Sequence, residues 1–234
     1  MIKVLSRFMA NTKCKLIVID GLDGSGKATQ TKLLAERLTK MGYQARTISF
    51  PDYESDSSAL VKMYLGGKLG SSPDDVNAYA ASSFYAVDRV ASYINTWSRD
   101  YASYDYIIAD RYTTSNIIHQ MAKVEKAQRE SYIKWLFDFE YDRLELPAPD
   151  MVIFLDVDPV ISQKLIYGRY GGDESKKDIH ESDFAYLQRC RSSAVYAIEH
   201  LGWVRIDCTA GGEMRSIEDI NDNILSLVHT GDIE

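Results

Sequence analysis

Gly21, Gly26 and Lys27 fall at the spacing G-x-x-x-x-G-K inside the stretch KLIVIDGLDGSGKATQTKLL, residues 15–34. Glycines are needed where several successive backbone N–H groups must converge on one anion, because a side chain would obstruct the required backbone angles. A lysine closing such a loop reaches the β and γ oxygens of a nucleotide, and the helix that follows adds the positive end of its dipole. Gly21, Leu22, Asp23, Gly24, Ser25, Gly26, Lys27, Ala28 and Thr29 are therefore candidates for holding a nucleotide's phosphates. The position after Lys27, where a Ser or Thr hydroxyl usually meets magnesium, is Ala28, and Thr29 comes one residue too late to replace it. Two further groupings could do chemistry. Asp110 and Arg111 follow the apolar run Tyr106–Ala109, and the C-terminal tip of a buried strand is where open α/β sheets collect ligands and magnesium. Tyr85 and Arg89 stand four residues apart, on one face of a predicted helix.

The elements that must position these residues alternate along the chain. Leu16–Ile19 reads as a buried strand, followed by a helix at 29–41 with Leu33, Leu34, Leu38 and Met41 on one face and Gly42 as its stop. Further strands are predicted at 44–50, 106–109, 151–155 and 203–207, the fourth introduced by the rigid LPAPD. A long helix from Asp74 to about Asp100 is expected to turn Val76, Ala80, Phe84, Val87, Ala91 and Ile94 inward, leaving Tyr85 and Arg89 on another face. Shorter helices are expected at 115–121, 126–140, 159–168, 182–201 and 216–228. Residues 168–177, GRYGGDESKK, predict a mobile surface loop. His180-Glu181 lacks a second histidine at helical spacing and is assigned to a helix start or a loop contact, not to a metal. The sum is an α/β fold of three layers, with a mainly parallel five-stranded sheet covered on both faces.

At 234 residues the chain suits one such domain, long enough to bury a large core. A net charge of -7 argues against a broad nucleic-acid-binding face, so anionic partners must be met by local clusters of Arg and Lys. Cys14, Cys190 and Cys208 are scattered and odd in number, which indicates neither a disulfide framework nor a zinc site and fits a reducing, cytoplasmic setting. Residues 1–13 are expected to be a short tail rather than a signal peptide, and no stretch reaches transmembrane length, so no membrane partner is expected.

In order and interval, GLDGSGKATQ, FPDY, FYAVDR and DRYTTS, followed by LPAPD and FLDVDP, resemble the thymidylate kinases, nucleoside monophosphate kinases of the P-loop class. The resemblance spans about residues 14–228, and DRY-x-x-S is its most family-specific part. It implies a P-loop NTPase fold over residues 14–234 with a short lid at about 168–181, ATP and dTMP as substrates, Mg2+, and a homodimer built through the long helix. It further implies that Lys27 and the amides from Asp23 to Thr29 hold the ATP phosphates, while Asp23 lies near the sugar and phosphate of the acceptor. Tyr85 would stack on thymine and Arg89 would hydrogen-bond its carbonyl; Asp110 would govern magnesium and Arg111 the acceptor phosphate; Ser115 and Gln120 would meet the thymine edge. Tyr53 stands in FPDY where members often carry an arginine for the acceptor phosphate, and Gly24 stands where some place a catalytic arginine. Lid cations, Arg169 with Lys176 and Lys177, would then serve in catalysis beside Lys27, Asp23 and Arg111.

Plainer readings stand beside these roles: Asp88 and Arg89 as a solvated surface pair, Asp110 and Arg111 as an internal ion pair, and Arg169, Lys176 and Lys177 as a solvated loop. The implied reaction moves the γ-phosphoryl group of ATP to dTMP. A kinase for another nucleoside monophosphate or a nucleoside, or a nucleotide-binding protein without turnover, would use the same loop and sheet. Outside the phosphate loop itself, neither D-x-x-G after a strand nor N-K-x-D is present, which argues against a GTPase switch.

Overall fold

The apolar run after Cys14 becomes the centre of a sheet. A computed structural model describes residues 14–169, 171, 173 and 178–230; the tail expected at 1–13 lies outside them. Strands β1 (Lys15–Gly21), β2 (Ala45–Ser49), β3 (Tyr106–Asp110), β4 (Met151–Asp156) and β5 (Val204–Asp207) form a five-stranded sheet in the order β2-β3-β1-β4-β5, every pair parallel. Side chains alternate across a strand, so Leu16 and Val18 enter one core while Ile17 and Ile19 enter the other. The Asp150 carboxylate of LPAPD accepts from the Leu16 amide at 2.7 Å, fixing where β1 begins.

Helices cover both faces. α1 (Lys27–Lys40), α2 (Ala59–Leu65), α3 (Ala78–Ser92), α4 (Ser98–Tyr101), α5 (Thr114–His119), α6 (Arg129–Phe137), α7 (Pro159–Arg169), α8 (Phe184–Leu201) and α9 (Ile217–Thr230) fall between or after the strands. Leu34 and Leu38 of α1 and Ile220, Ile224 and Val228 of α9 close one core over Ile17, Ile19, Ile108 and Ile153. Trp97, Tyr112, Tyr132, Tyr186 and Cys190 close the other. A two-residue hairpin, β6 (Thr209–Ala210) against β7 (Glu213–Met214), escaped the sequence reading. Its turn, Gly211-Gly212, has φ of 61° and 84°, the left-handed pair that such a turn demands.

The long helix corrects two expectations. It starts at Ala78 with Asn77 as its cap, not at Asp74, because Val76 is extended and Ser72 with Asp75 closes a separate short turn. The face expected inward is so only in part: Val76 and Phe84 are half-buried against Val61, Tyr64 and Leu65, but Val87 is 46% and Ile94 68% exposed, while Ser82, Asp88 and Arg89 are buried. Burying that polar face is possible because each group finds a partner. Ser82 meets the Tyr132 hydroxyl at 2.6 Å, and Asp88 accepts from the Asp52 amide and the Ser57 hydroxyl at 2.8 and 2.6 Å. Arg89 forks onto Glu140 at 2.7 and 2.5 Å, so the solvated Asp88/Arg89 pair is excluded. π-type turns follow α3 at Tyr93–Trp97 and α6 at Asp138–Arg143, and the second carries Glu140.

Candidate active site

Parallel register brings the tips of β1 and β3 together, with Ile19 opposite Asp110 and the Arg111 amide donating to the Ile19 carbonyl at 3.1 Å. The loop between β1 and α1 therefore lies beside Asp110 and Arg111. Gly21 cannot carry a side chain there: a Cβ would come within 2.6 Å of Ser25 Oγ and 2.8 Å of the Leu155 carbonyl. Gly26, at φ 87°, turns the chain into α1, which no side chain caps and whose first turn holds no acid, so its first N–H groups stay open to an anion. Lys27 is buried and folds back to donate to the Leu22 carbonyl at 2.8 Å. Burial, then the nearby Arg111 cation, brings its pKa down to about 8, against the pull of Asp23, Asp110 and Asp20.

Arg111 holds a left-handed backbone, φ 66°, uncommon for a side-chain-bearing residue and typical of functional sites. Its guanidinium pairs with Asp23 and lies 3.4 Å from Ser115 Oγ and 3.1 Å from His119 Nε2. Burial opposes its charge, but Asp23, Asp20 and Asp110 outweigh that and keep it protonated. Burial also pushes Asp23 up, yet Arg111 and Lys27 hold its carboxyl below the usual carboxylate range. Asp110 is raised, chiefly by burial, and its Oδ1 is buried without a hydrogen-bond partner. Arg111 thus pairs with Asp23 and Asp20 rather than with its neighbour Asp110.

Two cavities meet here. An open cleft of about 380 Å³ is lined by Gly24, Gly26, Lys27, Ala28, Thr29 and Asp110. A narrower cavity of about 70 Å³ is lined by Tyr85, Arg89, Ser115, Asn116, His119 and Gln120, and Asp23, Tyr53, Arg111 and Asp178 border both. Sites for small organic ligands usually measure about 300–1,000 Å³, so admitting a nucleotide to the narrower one requires its wall to open. Gln120 lies near the Tyr64 hydroxyl, yet neither atom of its buried carboxamide makes a hydrogen bond of normal geometry. Ser115 Oγ is engaged, donating to Asp20 at 2.9 Å, and Tyr53 is 52% exposed.

The description Thymidylate kinase belongs to the family profile that matches residues 19–222. The thymidylate kinase of Mycobacterium tuberculosis is 32% identical over 191 residues, 80% of this chain and 87% of that protein. That of Schizosaccharomyces pombe is 31% identical over 224 residues, 92% and 91% of the two chains. This chain belongs to the thymidylate kinase family. Its fold matches the solved thymidylate kinase of Candida albicans with a TM-score of 0.67 at 22% identity, over 95% of this chain and 94% of that one.

Of the residues proposed from this thymidylate kinase resemblance, Asp23, Gly24, Gly26, Lys27, Ala28 and Thr29 of the phosphate loop, with Tyr53, Tyr85, Arg89, Asp110, Arg111, Ser115 and Gln120, line the paired cavities, while Gly21, Leu22 and Ser25 lie behind the lining. Lys176, Lys177 and the Arg169 side chain fall outside the described residues. The sequence reading missed Asp20, Asn116, His119, Asp178 and the place of His180. Asp20 receives hydrogen bonds from Thr114 at 2.7 Å and from Ser115. Arg111, Ser115 and His119 recur every fourth residue, a helical spacing that could have revealed the histidine. Because an arginine only donates, His119 Nε2 accepts from Arg111 and the proton sits on Nδ1, facing Cys190 Sγ at 3.6 Å. His180 does not start a helix, since Asp183 caps α8; its ring lines the narrower cavity beside Tyr64 Oη at 2.9 Å.

Proposed function

We propose that this chain transfers the γ-phosphoryl group of ATP to the phosphate of dTMP, giving dTDP and ADP in the supply of dTTP. The observation that carries it is the junction of the two cavities at Asp23, Tyr53, Arg111 and Asp178. A donor triphosphate on the phosphate loop and an acceptor in the aromatic-walled cavity would bring their reacting ends to Arg111. Kinship with proteins named thymidylate kinases supplies the identity of the base.

In this reading Lys27 leaves the Leu22 carbonyl for the β and γ oxygens, which replace a neutral acceptor with charged ones. The open amides at the start of α1 hold the same phosphates. Arg111, already aligned by Asp23 and His119, offers its fork to the acceptor phosphate. That acceptor is an anion at neutral pH, so alignment and electrostatic stabilisation suffice without a general base. Tyr85 stacks on thymine, Arg89 meets its carbonyl with the N–H groups that Glu140 leaves free, and Gln120 offers one donor and one acceptor to its edge. Arg169, Lys176 and Lys177 meet the transferring group from the lid.

Asp110 fits a role toward Mg2+. Its unpartnered buried Oδ1 borders the phosphate cleft, and magnesium is commonly held by one carboxylate with phosphates and water. Bound there with ATP, the ion would neutralise charge on the β and γ phosphates. A homodimer accompanies this reading: Val87 on α3 and Ile94, seven residues on in the π-type turn that continues it, leave an exposed apolar stripe suited to a second copy. Three buried free thiols suit action in a reducing cytoplasm; no helix among the described residues is long and apolar enough to cross a membrane.

A coupled ADP-release assay against dTMP, dUMP, dCMP, dGMP and AMP tests the reaction. The highest kcat/KM is expected with dTMP. ADP release that no monophosphate stimulates would overturn it.

A further inference from the structure

A second cleft of about 380 Å³ shares no lining residue with the paired cavities. It opens between the start of α6 and the outer side of α8, where Lys123, Lys126, Arg129 and Arg189 face Asp74 and Glu125. Two of these cations are already committed. Arg189 pairs with Asp74 at 2.6 Å, and Lys123 donates to Tyr64 Oη at 2.7 Å and the Val76 carbonyl at 2.9 Å.

Arg129 is different. It is only 8% exposed, its guanidinium lies over the Tyr196 ring at 5.5 Å, and its buried Nε has no hydrogen-bond partner. No carboxylate among the described residues pairs with it, although Arg89, the other deeply buried arginine among those residues, is forked onto Glu140. Stacking on a ring offers the Nε–H no acceptor, and a donor of a charged group buried without one is costly. The missing partner is an anion. Lys126 stands exposed at the rim. This concentration of positive charge stands out on a chain of net charge -7.

We infer that this cleft is a second ligand site, separate from phosphoryl transfer, that takes a phosphate-type oxyanion on the Arg129 fork with Lys126 and Arg189 around it. A planar guanidinium matches two oxygens of one phosphate, and the cleft leaves room beyond the anion for the body of a phosphate ester.

The test is calorimetric titration of inorganic phosphate, and separately of ribose 5-phosphate, into protein held at saturating ADP and dTMP. One saturable site is expected in the wild type. Arg129→Gln should weaken it about tenfold or more, the effect of losing a charge-assisted bidentate contact. Arg143→Gln, which removes an exposed arginine paired with Asp138, should leave it unchanged. Lys126→Gln, at an exposed position, should give a smaller loss and keeps the test decisive if Arg129→Gln does not fold. Tighter binding of the ester identifies an organic phosphate as the ligand, and equal binding identifies the bare ion. In melting experiments phosphate should raise the Tm of the wild type more than that of Arg129→Gln. Identical titrations for the wild type and both cleft variants, or no saturable binding of either probe at millimolar concentration, would overturn the inference.

Discussion

Lys27 is a buried ammonium whose pKa is brought down to about 8, because burial and Arg111 both oppose its charge. In the free enzyme the cation exists below that pH, so kcat/KM for ATP should fall as pH rises past about 8. The profile of kcat should fall later, because bound phosphates favour the charged lysine. Parallel profiles would remove Lys27 from the phosphates. On the acceptor side, Tyr85→Ala should raise KM for dTMP about 5- to 150-fold, the range of 1 to 3 kcal/mol that stacking contributes in other base sites, with little change for ATP. Equal effects on both substrates would place thymine elsewhere. In the proposed reaction Ala28 would leave magnesium one protein oxygen short, and Asp110 with water and phosphates would compensate. Ala28→Ser should lower the magnesium concentration that gives half-maximal rate; coincident titration curves would mean that another ligand already fills that position.

Elements, not single residues, explain why a polar helix face is buried. α3 turns Ser82, Asp88 and Arg89 inward because Tyr132, the Asp52–Ser57 segment and Glu140 present partners from elsewhere in the chain. The Arg89–Glu140 pair, 1% and 0% exposed, also receives Thr113 Oγ1 at 2.7 Å and Asn116 Nδ2 at 3.1 Å on the Glu140 carboxylate. Removing one member of such a pair strands the other charge. Glu140→Ala should therefore destabilise the fold by about 3–5 kcal/mol in denaturant titrations and should raise KM for dTMP. The double replacement Arg89→Met with Glu140→Leu should recover most of the stability without recovering the preference for dTMP, which separates the structural from the proposed binding role. If the double variant keeps the wild-type substrate ranking, Arg89 only supports the wall.

For the whole molecule, the exposed apolar stripe from Val87 of α3 to Ile94 in the turn after it has a predicted consequence under the proposed homodimer. Ile94→Asp, at a position 68% exposed, should shift sedimentation from dimer to monomer with the fold intact, and a mass unchanged by the substitution would exclude this face as the interface. The alternation of strands and helices, the phosphate loop and the two strand tips that flank it were legible in the sequence, because each is set by periodicity and glycine placement within a dozen or so residues. The family of the chain was legible for the same reason. The turn at Gly211-Gly212 went unread although its two glycines are local, since strands of two residues carry no periodicity. Only the tertiary structure decided which face of α3 is buried, that Arg111 pairs with Asp23 across 88 residues, and that His119 and His180 reach the narrower cavity. Local hydrophobicity reports the average preference of a helix face for water. Whether a polar face can leave water depends on acceptors and donors brought from distant segments, as with Arg89 and Glu140, 51 residues apart, and those become neighbours only when the sheet has ordered its strands.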